Sequence, residues 1–344
     1  MATIRGCLAA SVLFRNSVKK SCVKYQVVRT VYGRKQSDER ADMIRELFKR
    51  KQEAGPEKKA HRGTYLDWNY KSELFAFSKR IGETFMNGSL ERAFTQRSYV
   101  LQQEATQKDL GLDDPDRVLE DNRSLAEKGE ELSRDFVARY LRTALPCLPE
   151  ENIQSIRDHL LKPESVANII SNIGADELIL TSEFPTEIQT RVSTFYALIG
   201  AIEESSGQER GALFVRDFII ASLSGQDINA LIMPENKFET LREIFLREGK
   251  EPPEPRLISH VGINTIIPSY RVGIYSEKKH IGTGDGESVK DALDNASLSV
   301  LWKMWGVPDA VFQFPYQLDV GQVLSNNQTN VPGSEWTREK ISCR

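Results

Sequence analysis

Apolar positions recur with a helical period through most of the first two thirds of the chain. In the stretch from Val192 to Ile202, Val192, Phe195, Leu198, Ile199 and Ile202 return at steps of three and four, while Ser193, Ala197, Gly200 and Ala201 keep the other side small. That pattern predicts a helix buried all round, with a small stripe against which a second backbone can lie. Glu203 to Gly207 return it to solvent, with glycine at the stop position. The same period predicts a helical piece at Met43 to Phe48 and another holding Leu74, Phe75, Phe77 and Ile81 before an Asn87-Gly88 turn. A short helix capped by Ser89 carries Leu90, Ala93 and Phe94. A long amphipathic helix carries Leu125, Leu132, Phe136 and Tyr140 and stops at Pro146 and Pro149. Ile153, Ile156 and Leu160, then Val166, Ile169 and Ile170, then Leu213 to Ile220 complete an all-helical domain over residues 64–225.

The period then changes. Phe238 to Glu248 is helical and ends at Gly249, Pro252, Pro253 and Pro255. Arg256 to Gly262, Tyr270 to Ser276 and Lys278 to Gly282 carry β-branched or alternating residues, as three antiparallel strands would. Ser288 opens a last helix with Ala292, Ala296, Val300 and Leu301 inward. Residues 236–306 therefore form a small α+β module ordered helix, three strands, helix. Residues 38–63 are expected to be an extension or linker, and residues 307–344, which lack periodicity, a tail.

At 344 residues the chain exceeds the size at which a single core stops growing, which favours two domains. Its net charge of −3 hides an asymmetry: residues 1–37 hold eight basic and no acidic residues, and removing those eight charges leaves −11 for residues 38–344. The basic start, rich in small residues and without a continuous apolar core, has the character of a mitochondrial transit peptide; a basic arm that binds nucleic acid is the other reading. Cys7, Cys22, Cys147 and Cys343 are scattered, with no metal-ligand spacing and no disulfide framework. No apolar run approaches the roughly 20 residues of a membrane-spanning helix, so no membrane is expected among the partners.

Three segments carry a family resemblance. Ala93-Phe94-Thr95-Gln96-Arg97-Ser98-Tyr99 is similar to the A-L-T-H-x-S-Y element of the RNase III endonucleases. Asn122 to Glu130 stands where that family has N-E-x-L-E-x-x-G-D, and Ser193 to Ile202 resembles D-A-F-E-A-L-I-G-A-I. The module at 236–306 resembles the double-stranded-RNA-binding domain that accompanies the helical domain in that family. The resemblance implies an all-α RNase III-like helical domain followed by a small α+β (α-β-β-β-α) double-stranded-RNA-binding domain.

The resemblance also implies a metal site. RNase III enzymes hold magnesium with four carboxylates, one pair four residues apart on one helix and one pair three apart on the next, spacings that put each pair on a single face. Here the matching positions are Ala126, Glu130, Ser193 and Tyr196. A methyl and a phenol cannot replace carboxylates on a hard cation, and a hydroxyl is a poor substitute. Glu127 and Glu131 point about 100° away from the Ala126 and Glu130 face. The expectation is a vestigial site without metal, cofactor or cleavage.

The RNA-binding module is only partly equipped. Such domains read A-form shape through their first helix, the loop between strands one and two, and lysines opening the last helix. The positions expected to contact RNA are Arg242 in the first helix, Lys278 and Lys279 at the hairpin, and Ser288 and Lys290 at the start of the last helix. The loop Gly262 to Pro268 lacks the family's histidine, and residues 236–306 hold ten basic and ten acidic residues. Residues 64–225 hold 27 acidic against 17 basic residues, a sign that repels RNA at a distance. Arg134, Arg139 and Arg142 there read as a solvated helix face or local RNA contacts.

With the import-type start, the whole chain resembles the RNase III-like proteins of the mitochondrial large ribosomal subunit. That implies a structural component docked on ribosomal RNA and on other mitochondrial large-subunit proteins, and pairing with another RNase III-like chain. The competing expectations are a residually active endoribonuclease and a free RNA-binding or assembly factor.

Overall fold

The computed structural model describes residues 31–55, 62–65, 67–86, 88–111, 120–262, 264–307 and 314–342. The import-type segment expected over residues 1–37 lies outside the described residues as far as residue 30. Helix α1 (Val31–Ala54) belongs to a unit of its own, separate from the one that begins at Ala60. It is longer than its apolar stretch predicts, because the charged pairs Asp42/Arg45, Glu46/Arg50 and Lys49/Glu53 sit at helical spacing. Met43, Ile44, Leu47 and Phe48 stay exposed along one side.

The second unit runs from Ala60 to Arg344. Its helical part opens with α2 (Tyr70–Ile81), capped by the Asn69 side chain, which accepts from the Ser72 amide, and closed by left-handed Gly82. Then come α3 (Ser89–Phe94), α4 (Arg97–Asp109), α5 (Arg123–Ala144), α6 (Glu150–Leu160) and α7 (Pro163–Ile173). The all-round apolar stretch becomes α8 (Ile188–Ser206), and α9 (Gln208–Phe218) follows. Helix α8 is the centre, packed against α3, α5, α7 and α9. Thr194 to Ile202 are all buried. Each large apolar side chain so removed from water contributes about 1.5–3 kcal/mol, which outweighs the cost of glycine in mid-helix.

A short helix, α10 (Ile228–Leu231), leads into the second module. Helix α11 (Lys237–Arg247) precedes an antiparallel sheet of β1 (Glu254–Val261), β2 (Ser269–Ser276) and β3 (Lys279–Gly286) in that spatial order, and α12 (Val289–Met304) lies across β2 and β3. Strand β3 runs four residues beyond the expected strand and absorbs Gly282-Thr283-Gly284. A Cβ at Gly284 would stand 2.1 Å from the Ala296 amide nitrogen, and one at Gly286 2.5 Å from that of Ala292. These glycines let the helix lie directly on the strand. All eight residues of β1, by contrast, are exposed.

Residues 314–342 are not a loose tail. They contain α13 (Val320–Ser325) and α14 (Arg338–Ser342) and fold back over the helical part. The Tyr140 hydroxyl donates to the Pro315 carbonyl at 2.7 Å, and Arg139 donates to the Leu324 carbonyl at 2.7 Å. Buried Asn330 donates through Nδ2 to the carbonyls of Leu145 and Leu148, and the Trp336 indole donates to that of Cys147 at 2.8 Å. Further along, Arg247 of α11 donates to the Gly333 carbonyl, and the Arg338 amide donates to Glu248. One apolar cluster accordingly runs from Leu74 through Phe245, Val300 and Trp305 to Trp336.

Candidate functional site

The three resembling segments meet at the crossing of α5 and α8. The Asn122 amide donates to the Thr95 carbonyl, and its side chain donates to that of Ala93. Gln96 donates to the Thr194 hydroxyl at 2.8 Å and to the Thr190 carbonyl at 3.3 Å. At the crossing, a Cβ on Gly129 would lie 1.9 Å from the Tyr196 carbonyl oxygen, and one on Gly200 2.2 Å from that of Leu125. Glycine at both positions therefore sets the distance between the helices, as the small stripe predicted.

The four expected metal-ligand positions flank this contact. Ala126 is half-buried and packs against the apolar core. Ser193 is half-buried on α8, and Tyr196, one turn on, is buried. Glu130 is half exposed and is held by Arg134 at 3.0 Å. The Tyr196 phenol is pushed up to about 12, first by burial and then by the negative charge of Glu130, against an opposing effect of Arg134. The structure thus brings Glu130 and Tyr196 together as a neutral phenol beside an arginine-paired carboxylate. Magnesium is held by carboxylate oxygens together with water, and of these four residues only Glu130 offers a carboxylate, one already engaged by Arg134, so they do not fit the ion. Among the described residues, no group of three or more His, Cys, Asp or Glu side chains is placed to hold a metal ion.

Beside the crossing lies a cleft of about 530 Å³ lined by Lys128, Glu131, Asp135, Gly200, Glu203 and Glu204. Glu131 also lines a second cleft, together with Glu127, Glu130 and Arg134. Burial raises the Glu203 carboxyl, Lys128 lowers it, and Glu131 raises it again. Of the arginines of α5, exposed Arg134, paired with Glu130, fits the solvated-face reading, while the other two fit neither reading. Arg142 is mostly buried in a two-pronged pair with Glu150 at 2.6 Å, and Arg139 joins Asp135 to the C-terminal segment. Both are structural, and what sequence reading missed was their partners, more than 180 residues downstream in the case of Arg139.

In the second module the expected RNA contacts divide. Ser288 caps α12: its hydroxyl accepts from the Asp291 amide and donates to the Asp291 carboxylate at 2.7 Å. Lys290 is exposed in the first turn of that helix, at the sheet end that also carries the β1–β2 loop, since Tyr270 pairs with Gly286. Lys278 and Lys279 are exposed at the opposite end of β3, eight residues or roughly 26 Å away, on a tight turn where Glu277 and Lys278 are left-handed. Arg242 is exposed and paired with Glu239 at 3.3 Å. These side chains therefore do not form one basic patch. On the outer sheet face Arg271 is tied to Asp285, whose carboxyl is held low by that hydrogen bond and charge.

Comparison with known proteins places these features. Residues 69–202 match the family described as "Large ribosomal subunit protein mL44, endonuclease domain". Residues 232–337 match "MRPL44 dsRNA-binding domain", a span that takes in most of the C-terminal segment. The "Large ribosomal subunit protein mL44" of Caenorhabditis elegans is 30% identical over 326 residues, covering 94% of this chain and 77% of that protein. A protein of the same name from Neurospora crassa is 29% identical over 145 residues, 38% of this chain and 32% of that one. The Ribonuclease 3 of Carboxydothermus hydrogenoformans is 24% identical over 241 residues, 67% of this chain and 95% of the enzyme.

Proposed function

The chain belongs to the mL44 family of large ribosomal subunit proteins, and from that premise we propose that it is a structural component of the mitochondrial large ribosomal subunit. The observation that supports this reading over catalysis is the α5/α8 crossing. Gly129 and Gly200 hold its two backbones in direct contact, while Ala126, Ser193 and Tyr196 supply no anionic oxygen and Glu130 is engaged by Arg134. The helical domain then serves as a rigid, acidic body for protein neighbours, and the second module meets ribosomal RNA. In that module Lys290 is the best-placed phosphate contact, with Arg242 and the Lys278–Lys279 tip as separate, weaker ones and Ser288 acting through the helix cap. Its balanced charge makes isolated RNA binding weak, because phosphate neutralisation supplies most sequence-independent affinity. The site of action on this reading is the mitochondrial matrix, and another RNase III-like chain is a candidate neighbour for the helical domain.

Sedimentation of mitochondrial lysate through sucrose tests the proposal. Residence predicts that the chain travels with the large subunit and stays there at high salt; a chain found only in light fractions would be a free factor. Purified protein should leave perfect duplex RNA intact in magnesium. Cleavage abolished by Glu130→Ala would restore the endonuclease reading.

A further inference from the structure

Strand β1 is an open edge. It pairs with β2 on one side, and among the described residues no other segment bonds its outward amides and carbonyls. The surface along it is apolar: Leu257 and Ile258 are half exposed and Val261 is 70% exposed. A shift in register between Leu257 and Ser259 turns Ile258 onto the outer sheet face over Gly273, where a Cβ would stand 2.7 Å from the Ile258 Cδ1. The loop beyond continues the patch, with Ile266 100% and Ile267 72% exposed.

This loop is held in shape. The Thr265 hydroxyl reaches the carbonyls of Gly262 and Ile267 at 2.6 and 3.3 Å, and the Thr265 amide donates to the Gly262 carbonyl at 2.9 Å. Gly262 is left-handed at φ +70°, which glycine adopts without strain. Two isoleucines are thus presented on a braced loop beside a free strand edge. Monomeric proteins rarely leave such a surface uncovered, because an exposed apolar edge is a template for pairing.

The charge pattern selects the occupant. From Leu257 to Tyr270 there is no Lys, Arg, Asp or Glu, so nothing in this stretch neutralises phosphate. We propose that β1 and the β1–β2 loop form a protein-docking edge, on which an extended, uncharged, apolar segment of a neighbouring protein adds as a fourth strand and covers Ile266 and Ile267. This rests on the ribosomal reading, since the neighbour is a large-subunit protein. It turns the loop that RNA-binding relatives direct at a minor groove toward protein instead.

Three measurements on the full-length chain test it. Amide hydrogen exchange of residues 254–268, compared between the free protein and purified large subunits, should slow by roughly tenfold or more on assembly; unchanged exchange would overturn the proposal. A photo-crosslinking residue at position 266 should join to a protein segment with alternating apolar residues that gains exchange protection in the same experiment. An RNase-sensitive adduct would overturn the proposal in favour of RNA. The double variant Ile266→Asp, Ile267→Asp should melt like wild type, because both side chains are exposed, yet lose several-fold occupancy on the subunit. Wild-type occupancy of that variant sinks the docking edge and leaves ribosomal residence standing, whereas absence of the wild-type chain from subunits sinks both.

Discussion

The α5/α8 crossing and the C-terminal segment hold the molecule together by opposite means. At the crossing, two long helices repeat the same small-against-backbone contact, Gly129 on Tyr196 and Gly200 on Leu125, and every turn of α8 adds buried apolar surface. The C-terminal segment has no repeat. It is pinned at separate points, chiefly by Asn330 and Trp336 donating to the carbonyls of Leu145, Cys147 and Leu148, which the proline-interrupted connection between α5 and α6 leaves without helical partners. A repeated contact leaves no slack at any one place, whereas a pinned segment can lose one pin and keep the rest. The difference predicts how each region fails.

The largest effect belongs to the crossing. Gly129→Val places branched carbon where the Tyr196 carbonyl already stands and should cost more than about 5 kcal/mol, or abolish cooperative denaturant unfolding. A cooperative transition within about 1 kcal/mol of wild type would show that the helices can slide apart, and the contrast would fail. Trp336→Ala removes the largest pin, a fully buried indole, and should cost about 3–4 kcal/mol by chemical denaturation. Limited proteolysis should then cut first between residues 326 and 342, with the helical core intact. Asn330→Leu keeps the volume but strands the Leu148 carbonyl, while that of Leu145 keeps the Leu148 amide, and should cost about 1–2 kcal/mol. If both strap variants instead unfolded the whole chain as sharply as Gly129→Val, pinned and repeated contacts would be one cooperative network.

What could be read from sequence follows the same division. The faces of α5 and α8, the small stripe and the last helix of the second module are periodic, so Leu125, Phe136, Phe195 and Leu301 were all placeable before any coordinates. Residues 307–344 read as a tail because single anchors have no period. Asn330 looks like any loop asparagine until the carbonyls of Leu145 and Leu148 are beside it. Strand β3 was cut short for a related reason. Gly284 and Gly286 are poor strand formers, and only the close approach of the α12 backbone at Ala296 and Ala292 explains their place in a strand. At the site, the absence of a carboxylate at 126, 193 and 196 was legible residue by residue. The pairing of Glu130 with Arg134 was within reach of their i,i+4 spacing, whereas the bonds of the Ser288 hydroxyl to Asp291 depend on a rotamer that sequence does not show.

The smallest effect probes the cradle through Tyr196, whose phenol sits at about 12 instead of the ordinary value near 10. Because the folded value lies above the unfolded one, the phenol's contribution to stability is fully present below pH 10 and is lost as pH rises from 10 through 12. Tyr196→Phe has no proton to lose. Its stability relative to wild type should therefore climb above pH 10, by roughly 1.4 kcal/mol for each pH unit within that window. The slope of the difference carries the information; a constant offset reports packing alone. Tyr140, also raised by burial but bonded through its hydroxyl to the C-terminal segment, is the reference from the pinned region. Tyr140→Phe should show an offset already at neutral pH, from the unbonded Pro315 carbonyl. Parallel pH curves for Tyr196→Phe and wild type would mean that water and charge reach the phenol, and that the crossing is an open cleft rather than a closed one.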